Sequence, residues 1–105
     1  MGGGAALMIA ARNPGMFKSV TAFAPITHPT TAKQFCAQAF AKYFANADDA
    51  KHFDTVEVLT SGGKSIKLPP GFVDFASLDK WETDLAPKDF EQALRENGHD
   101  MKIRY

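Results

Sequence analysis

The side chains of this 105-residue chain that could carry chemistry are few and scattered. Nucleophiles are offered by Ser19, Ser61, Ser65 and Ser77 and by a single cysteine, Cys36. None of the serines stands in G-x-S-x-G, the strand-to-helix elbow that lifts a hydroxyl clear of the backbone for attack. An isolated thiol such as Cys36 reads as a packed side chain. His28, His52 and His99 are too far apart for a local metal motif, so no metal site is expected. Ser61-Gly62-Gly63-Lys64-Ser65 approaches the phosphate loop G-x-x-x-x-G-K-S/T, but Val58 stands where its first glycine is needed. Gly2-Gly3-Gly4 fails the dinucleotide fingerprint because Leu7 occupies the last glycine position. By residue type alone, Asp74 reads as a strand-end residue satisfying backbone groups and Asp79 as a loop cap.

The elements that must position these groups follow from periodicity and breakers. Residues 5–11 are good helix formers, stopped by Asn13-Pro14-Gly15. Residues 17–24 are short and mostly apolar, end at Pro25, and predict a buried strand. A loop over residues 25–31 leads to residues 33–47. There Cys36, Ala39, Phe40, Tyr43 and Phe44 recur at helical spacing, as packing residues of one amphipathic helix. Asp54-Thr55-Val56-Glu57 has the form of a capping box and predicts a short helix to Leu59, ended by Ser61-Gly62-Gly63. After Leu68-Pro69-Pro70, residues 72–75 predict a strand. Pro87 opens a helix with Phe90, Ala93 and Leu94 inward, closed by Asn97-Gly98. Met101, Ile103 and Tyr105 alternate with Lys102 and Arg104 as in a strand. Three strands joined by helical connections imply a small parallel α/β sheet.

Composition narrows the partners. Twelve basic and 12 acidic side chains cancel, which removes the electrostatic warrant for nucleic acid or an anionic membrane surface. The apolar run at residues 5–11 is too short to span a bilayer, and no basic stretch precedes it as in a secretory signal. Asn13, Asn46 and Asn97 lack the N-x-S/T context, and Ala6 fails the myristoylation pattern. A single small domain in the cytoplasm is the expectation.

Several blocks taken together resemble the S-formylglutathione hydrolases, also called esterase D, of the α/β-hydrolase superfamily. They are Met1-Gly2-Gly3-Gly4-Ala5-Ala6-Leu7, Asn13-Pro14, Phe17-Lys18-Ser19-Val20 and Ala22-Phe23-Ala24-Pro25. Weaker matches continue in order through Ala39-Phe40, Tyr43, Asp54, Leu68-Pro69-Pro70, Asp74, Asp79, Pro87, Phe90, Glu91, Ala93 and Gly98-His99. The resemblance implies a partial α/β-hydrolase fold of about three parallel strands with crossover helices, one edge of a larger sheet. The parent reaction cleaves a small thioester, S-formylglutathione, to formate and glutathione through a formyl-serine, without metal or organic cofactor.

Of the catalytic triad, the resemblance maps only the acid, to Asp79. It puts the nucleophilic serine immediately before Met1 and the histidine in a Y-D-H-S-Y segment after Tyr105, while His99 matches a non-catalytic histidine. Met1 takes the position whose backbone N–H is one oxyanion-hole donor; as an amino terminus it would present a free amine instead. Gln34-Phe35-Cys36 stands near the family's P-W-G, and Asp74-Phe75-Ala76 replaces its D-Q-G. The chain alone is therefore expected to be inactive, because a serine needs a histidine to take its proton and an acid to orient that histidine. The alternative is a non-catalytic interaction module or an incomplete gene product. The first strand, left without its neighbour, is expected to self-associate through its open edge.

Overall fold

Helix propensity would start the first helix at residue 5, yet in the computed structural model α1 runs Gly2–Arg12. Tertiary contact overrides propensity here. A Cβ on Gly3 would lie 2.8 Å from the Phe23 carbonyl oxygen, and one on Gly4 2.7 Å from that of Ile26. Glycine costs about 1 kcal/mol per residue against alanine inside a helix. That cost is outweighed by the close seating of α1 on the strand that follows it. The Asn13 side-chain amide donates to the Ile9 carbonyl at 2.8 Å, and Gly15, at φ 80°, turns the chain away. The structure describes residues 2–32, 35–44, 46–77 and 79–105, without the side chains of Phe35, Cys36, Ala37, Phe40, Ala47 and Lys64.

Three four-residue strands follow: β1 (Val20–Phe23), β2 (Gly71–Asp74) and β3 (Met101–Arg104). They pair in the order β1-β2-β3, all parallel. Between β1 and β2 lie a 3-10 turn at Pro29–Thr31 and helices α2 (Phe35–Tyr43), α3 (Ala47–Lys51) and α4 (Thr55–Gly62). Between β2 and β3 lie α5 (Glu82–Leu85) and α6 (Pro87–Glu96). Parallel neighbours require such crossovers, so the sequence pattern and the topology agree.

The register sorts the sheet into two faces. Val20, Gly71 and Met101 share one row and Ala22, Val73 and Ile103 the next, all turned toward α1, α4 and α6. The core forms there, with Leu7, Leu59, Val73 and Phe90 fully buried. Each such side chain contributes about 1.5–3 kcal/mol by leaving water. The opposite rows are Thr21, Phe72 and Lys102, then Phe23, Asp74 and Arg104. No described helix covers them. The strand expected to be buried on both sides is therefore buried on one, with Phe23 65% exposed.

Two other expectations change. The helix foreseen over residues 33–47 is two helices, because Asn46 starts α3 by accepting the Asp49 N–H at 2.8 Å. Its aromatic stripe does not all turn inward: Tyr43 is exposed, and Phe44 tilts against Phe53 at 5.2 Å. The Cys36 and Phe40 side chains lie outside the described residues. Helix α6 matches its pattern, with Pro87 at its start, Phe90, Ala93 and Leu94 buried, and Gly98 at φ 70° beyond its end. Among the described residues, no helix is long and apolar enough to cross a membrane.

Candidate functional site

In open parallel sheets, ligands bind at the carboxyl ends of the strands. All three strands here end on one open cleft of about 500 Å³, lined by Phe23, Ala24, Asp74, Phe75, Ala76, Arg104 and Tyr105. The amino terminus of α1 reaches the same edge, since Gly3 and Gly4 pack on the Phe23 and Ile26 carbonyls. Met1, the expected oxyanion-hole position, lies outside the described residues.

Asp79 stands on the loop after β2. Its N–H donates to the Ala76 carbonyl at 3.3 Å, and Ala76 lines the cleft, though Asp79 itself does not. Its Oδ1 accepts the Trp81 N–H at 2.8 Å, and its carbonyl accepts the Glu82 N–H at 3.1 Å. Among the described residues Oδ2 accepts no hydrogen bond. One oxygen is thus fixed by the backbone while the other is open to a donor. That arrangement serves a loop cap and can equally hold an imidazole N–H.

The expectation for Asp74 is corrected. Its side chain does not serve the backbone: both oxygens accept from the Arg104 guanidinium, at 2.5 and 2.6 Å. Arg104 lies 4.0 Å above the Phe72 ring, and Phe72 meets Phe23 edge-on at 6.1 Å. The cation accounts for the carboxyl's acidity: the Arg104 hydrogen bond holds the Asp74 pKa below its ordinary 3.8. On acidification the unfolded chain therefore takes up this proton first. The pair's contribution is present above the unfolded value and is lost as pH falls through the folded one. Stability should decline as pH drops below about 4, and Arg104→Leu should flatten that decline in acid titrations followed by circular dichroism. An identical acid limb in the variant would disprove the linkage.

A second carboxylate, fully buried, carries a network that sequence spacing did not reveal. Asp54 caps α4, its Oδ1 accepting the Glu57 N–H at 3.0 Å. Its Oδ2 accepts from the Thr30 N–H at 3.0 Å, the Thr30 hydroxyl at 2.7 Å and His28 Nδ1 at 2.8 Å. The acceptor-only carboxylate assigns the Nδ1 proton to His28. Hydroxyl, imidazole and carboxylate meet here, but not as a triad. Thr30 donates to the carboxylate and not to the imidazole, so His28 cannot take its proton.

The residue before the pair extends this network toward Asp79. Thr27 is fully buried, and its hydroxyl donates to the Leu85 and Ala86 carbonyls at 2.5 and 3.1 Å. Its carbonyl accepts the Val56 N–H at 3.0 Å. Residues 27–30 thus tie the start of α4 to the end of α5, the short helix that follows Asp79. The segment also holds strain nearby: Ala24 and Ala86 adopt φ 43° and 48°, values that side-chain-bearing residues seldom take.

His99 is at the wrong end. It precedes β3, so the strand separates it from the cleft by about 13 Å at 3.3 Å per residue. Burial lowers its pKa, and its Nε2 is enclosed without a hydrogen-bond partner among the described residues. Among the described residues no cluster of histidine, cysteine, aspartate and glutamate could hold a metal ion.

A one-sided layer of crossover helices, a carboxyl-end cleft and a loop acid after the second strand together define part of an α/β-hydrolase fold. The chain belongs to the Esterase family, whose model matches residues 1–104. It is similar to an S-formylglutathione hydrolase from Agrobacterium tumefaciens, with 31% sequence identity and a TM-score of 0.84. The match covers 98% of this chain but 36% of that enzyme's chain, so this chain spans little more than a third of its relative.

Proposed function

We propose that this chain forms the acid-bearing part of a serine esterase that hydrolyses S-formylglutathione, a step of formaldehyde detoxification in the cytoplasm. The observation that carries the reading is Asp79 on the loop after β2, with Oδ1 fixed by the Trp81 N–H and Oδ2 open. Family membership and the similarity to an S-formylglutathione hydrolase support it.

In this reading a serine hydroxyl attacks the formyl carbon while a histidine takes its proton. Asp79 accepts that histidine's other N–H and stabilises the imidazolium as it forms. The histidine then protonates the leaving sulfur, and glutathione departs from a formyl-serine. Water, deprotonated by the same histidine, releases formate and restores the serine. In this reading the serine and the histidine belong to residues outside 1–105, so the chain alone should not turn over.

Hydrolysis of p-nitrophenyl acetate and S-formylglutathione by the purified chain should match the buffer rate. Turnover abolished by a serine-directed phosphonate would overturn the assignment. In a longer polypeptide that joins this chain to a G-H-S elbow before Met1 and a Y-D-H segment after Tyr105, Asp79→Asn should lower kcat by about 10⁴-fold with little change in KM. Unchanged kcat there would remove Asp79 from the triad.

A further inference from the structure

Thr27 carries a fully buried hydroxyl that the proposed mechanism does not use. A valine of the same shape would fill its place without burying a polar group. The hydroxyl is matched instead by what it bonds. Its single proton is shared between the Leu85 and Ala86 carbonyls, and the Thr27 N–H donates to the Leu85 carbonyl at 3.3 Å. All three contacts end on the close of α5.

That helix needs a hold from outside. It is a single turn of four residues, and the first turn of a helix fixes several dihedrals for one hydrogen bond. Its cap is Ala86, at φ 48° and ψ 53°. Glycine ordinarily takes this left-handed position at a helix end. Ala86 also precedes Pro87, and a residue before proline favours extended backbone. Two local preferences thus oppose the conformation that Ala86 adopts. Among the described residues no side chain caps the start of α5 or of α6. Thr27 supplies from a distant segment the hold that the local sequence lacks.

From this turn the path to Asp79 is short. The Leu85 N–H donates to the Trp81 carbonyl at 2.9 Å, and the Ala86 N–H to the Glu82 carbonyl at 3.0 Å. Trp81 and Glu82 are the residues whose N–H groups hold Asp79, the first on Oδ1 and the second on its main-chain carbonyl. The carbonyls that Thr27 binds and the amides that orient the carboxylate therefore belong to one turn. Thr27 is itself anchored: its carbonyl accepts the Val56 N–H, and its neighbour His28 bonds the buried Asp54. The far end of the loop is fixed separately, by the Phe75 N–H donating to the Arg104 carbonyl at 2.8 Å.

We propose that Thr27 is a positioning residue for the Asp79 carboxylate: its hydroxyl holds α5, and α5 presents the Trp81 N–H that aims Oδ1. Its part in catalysis rests on the reading of Asp79 as the triad acid.

The test uses the full chain with Thr27→Val, which removes the hydroxyl and keeps the shape. The Leu85 carbonyl retains the residue-27 N–H and the Ala86 carbonyl retains the Phe90 N–H, so neither is orphaned and the fold should survive. Thr27→Ala replaces it if circular dichroism shows it unfolded. Amide exchange at Trp81 and Glu82 should quicken by at least about tenfold, and at Leu59 and Val73 in the core by less than about threefold. Thr27→Ser, which keeps the hydroxyl, should stay within about threefold of the wild-type Trp81 rate. Unchanged exchange at Trp81, equal quickening in the core, a Trp81 amide already unprotected in the wild type, no rescue by serine, or loss of fold in both the valine and alanine variants would overturn the proposal.

In the longer polypeptide described above, Thr27→Val should lower kcat by at least about tenfold and leave KM within about twofold. If Asp79→Asn lowers kcat there and Thr27→Val does not, the proposal is overturned. If neither does, the functional reading fails, and the positioning of the carboxylate, read by exchange, stands.

Discussion

Replacing Asp54 with alanine is expected to destabilise the chain by about 3–5 kcal/mol, the range for breaking a buried, hydrogen-bonded charge. Four donors lose their acceptor at once: the Glu57 N–H, the Thr30 N–H, the Thr30 hydroxyl and His28 Nδ1. The site is fully buried, so water cannot replace the carboxylate without reopening the loop. Against a total stability of about 5–15 kcal/mol, that removes from about a fifth of the folding margin to nearly all of it. His28→Ala should cost less, about 1–3 kcal/mol, because the other donors keep their acceptor. Urea unfolding of both variants gives the comparison. An Asp54→Ala loss below about 1 kcal/mol would mean that the network contributes little to holding residues 27–30 in place.

Gly71→Ala is expected to be at least as severe. A Cβ at this position would overlap the Val20 carbonyl oxygen on the neighbouring strand. That atom is backbone within the sheet and cannot swing aside. The strands would have to part, and the Val20 N–H to Pro70 bond lies at the same point. A loss above about 4 kcal/mol is expected, a large share of a total stability of about 5–15 kcal/mol. Gly15→Ala is the control: φ is 80° there but the space is open, so only the left-handed conformation costs, about 1 kcal/mol. Equal thermal midpoints for the two variants would show that the β1–β2 spacing adapts more easily than the packing implies.

Some of this was legible before the structure. Phe90, Ala93 and Leu94 recur at helical spacing between Pro87 and Asn97-Gly98, and α6 occupies that stretch with those side chains inward. Met101, Ile103 and Tyr105 alternate, and β3 forms there. The Asp54 cap was visible because its partner, the Glu57 N–H, lies three residues on. What spacing could not show was contact between distant segments. His28 and Asp54 are 26 residues apart, and Asp74 and Arg104 are 30 apart. Neither separation is a motif. The break between α2 and α3 did have a signal, Asn46 three residues before Asp49, that the continuous aromatic stripe outweighed. The bare sheet face was not legible, because a short apolar run looks alike whether one or both of its faces are covered.

The seating of α1 also bears on how this family's sequences should be compared. A run of glycines that opens a helix invites a reading in terms of chemistry. Gly3 and Gly4 are accounted for by the carbonyl oxygens they nearly touch. A lineage that had given up turnover but kept its shape would retain them, so their invariance would record the gap between a helix and a loop rather than selection for a reaction.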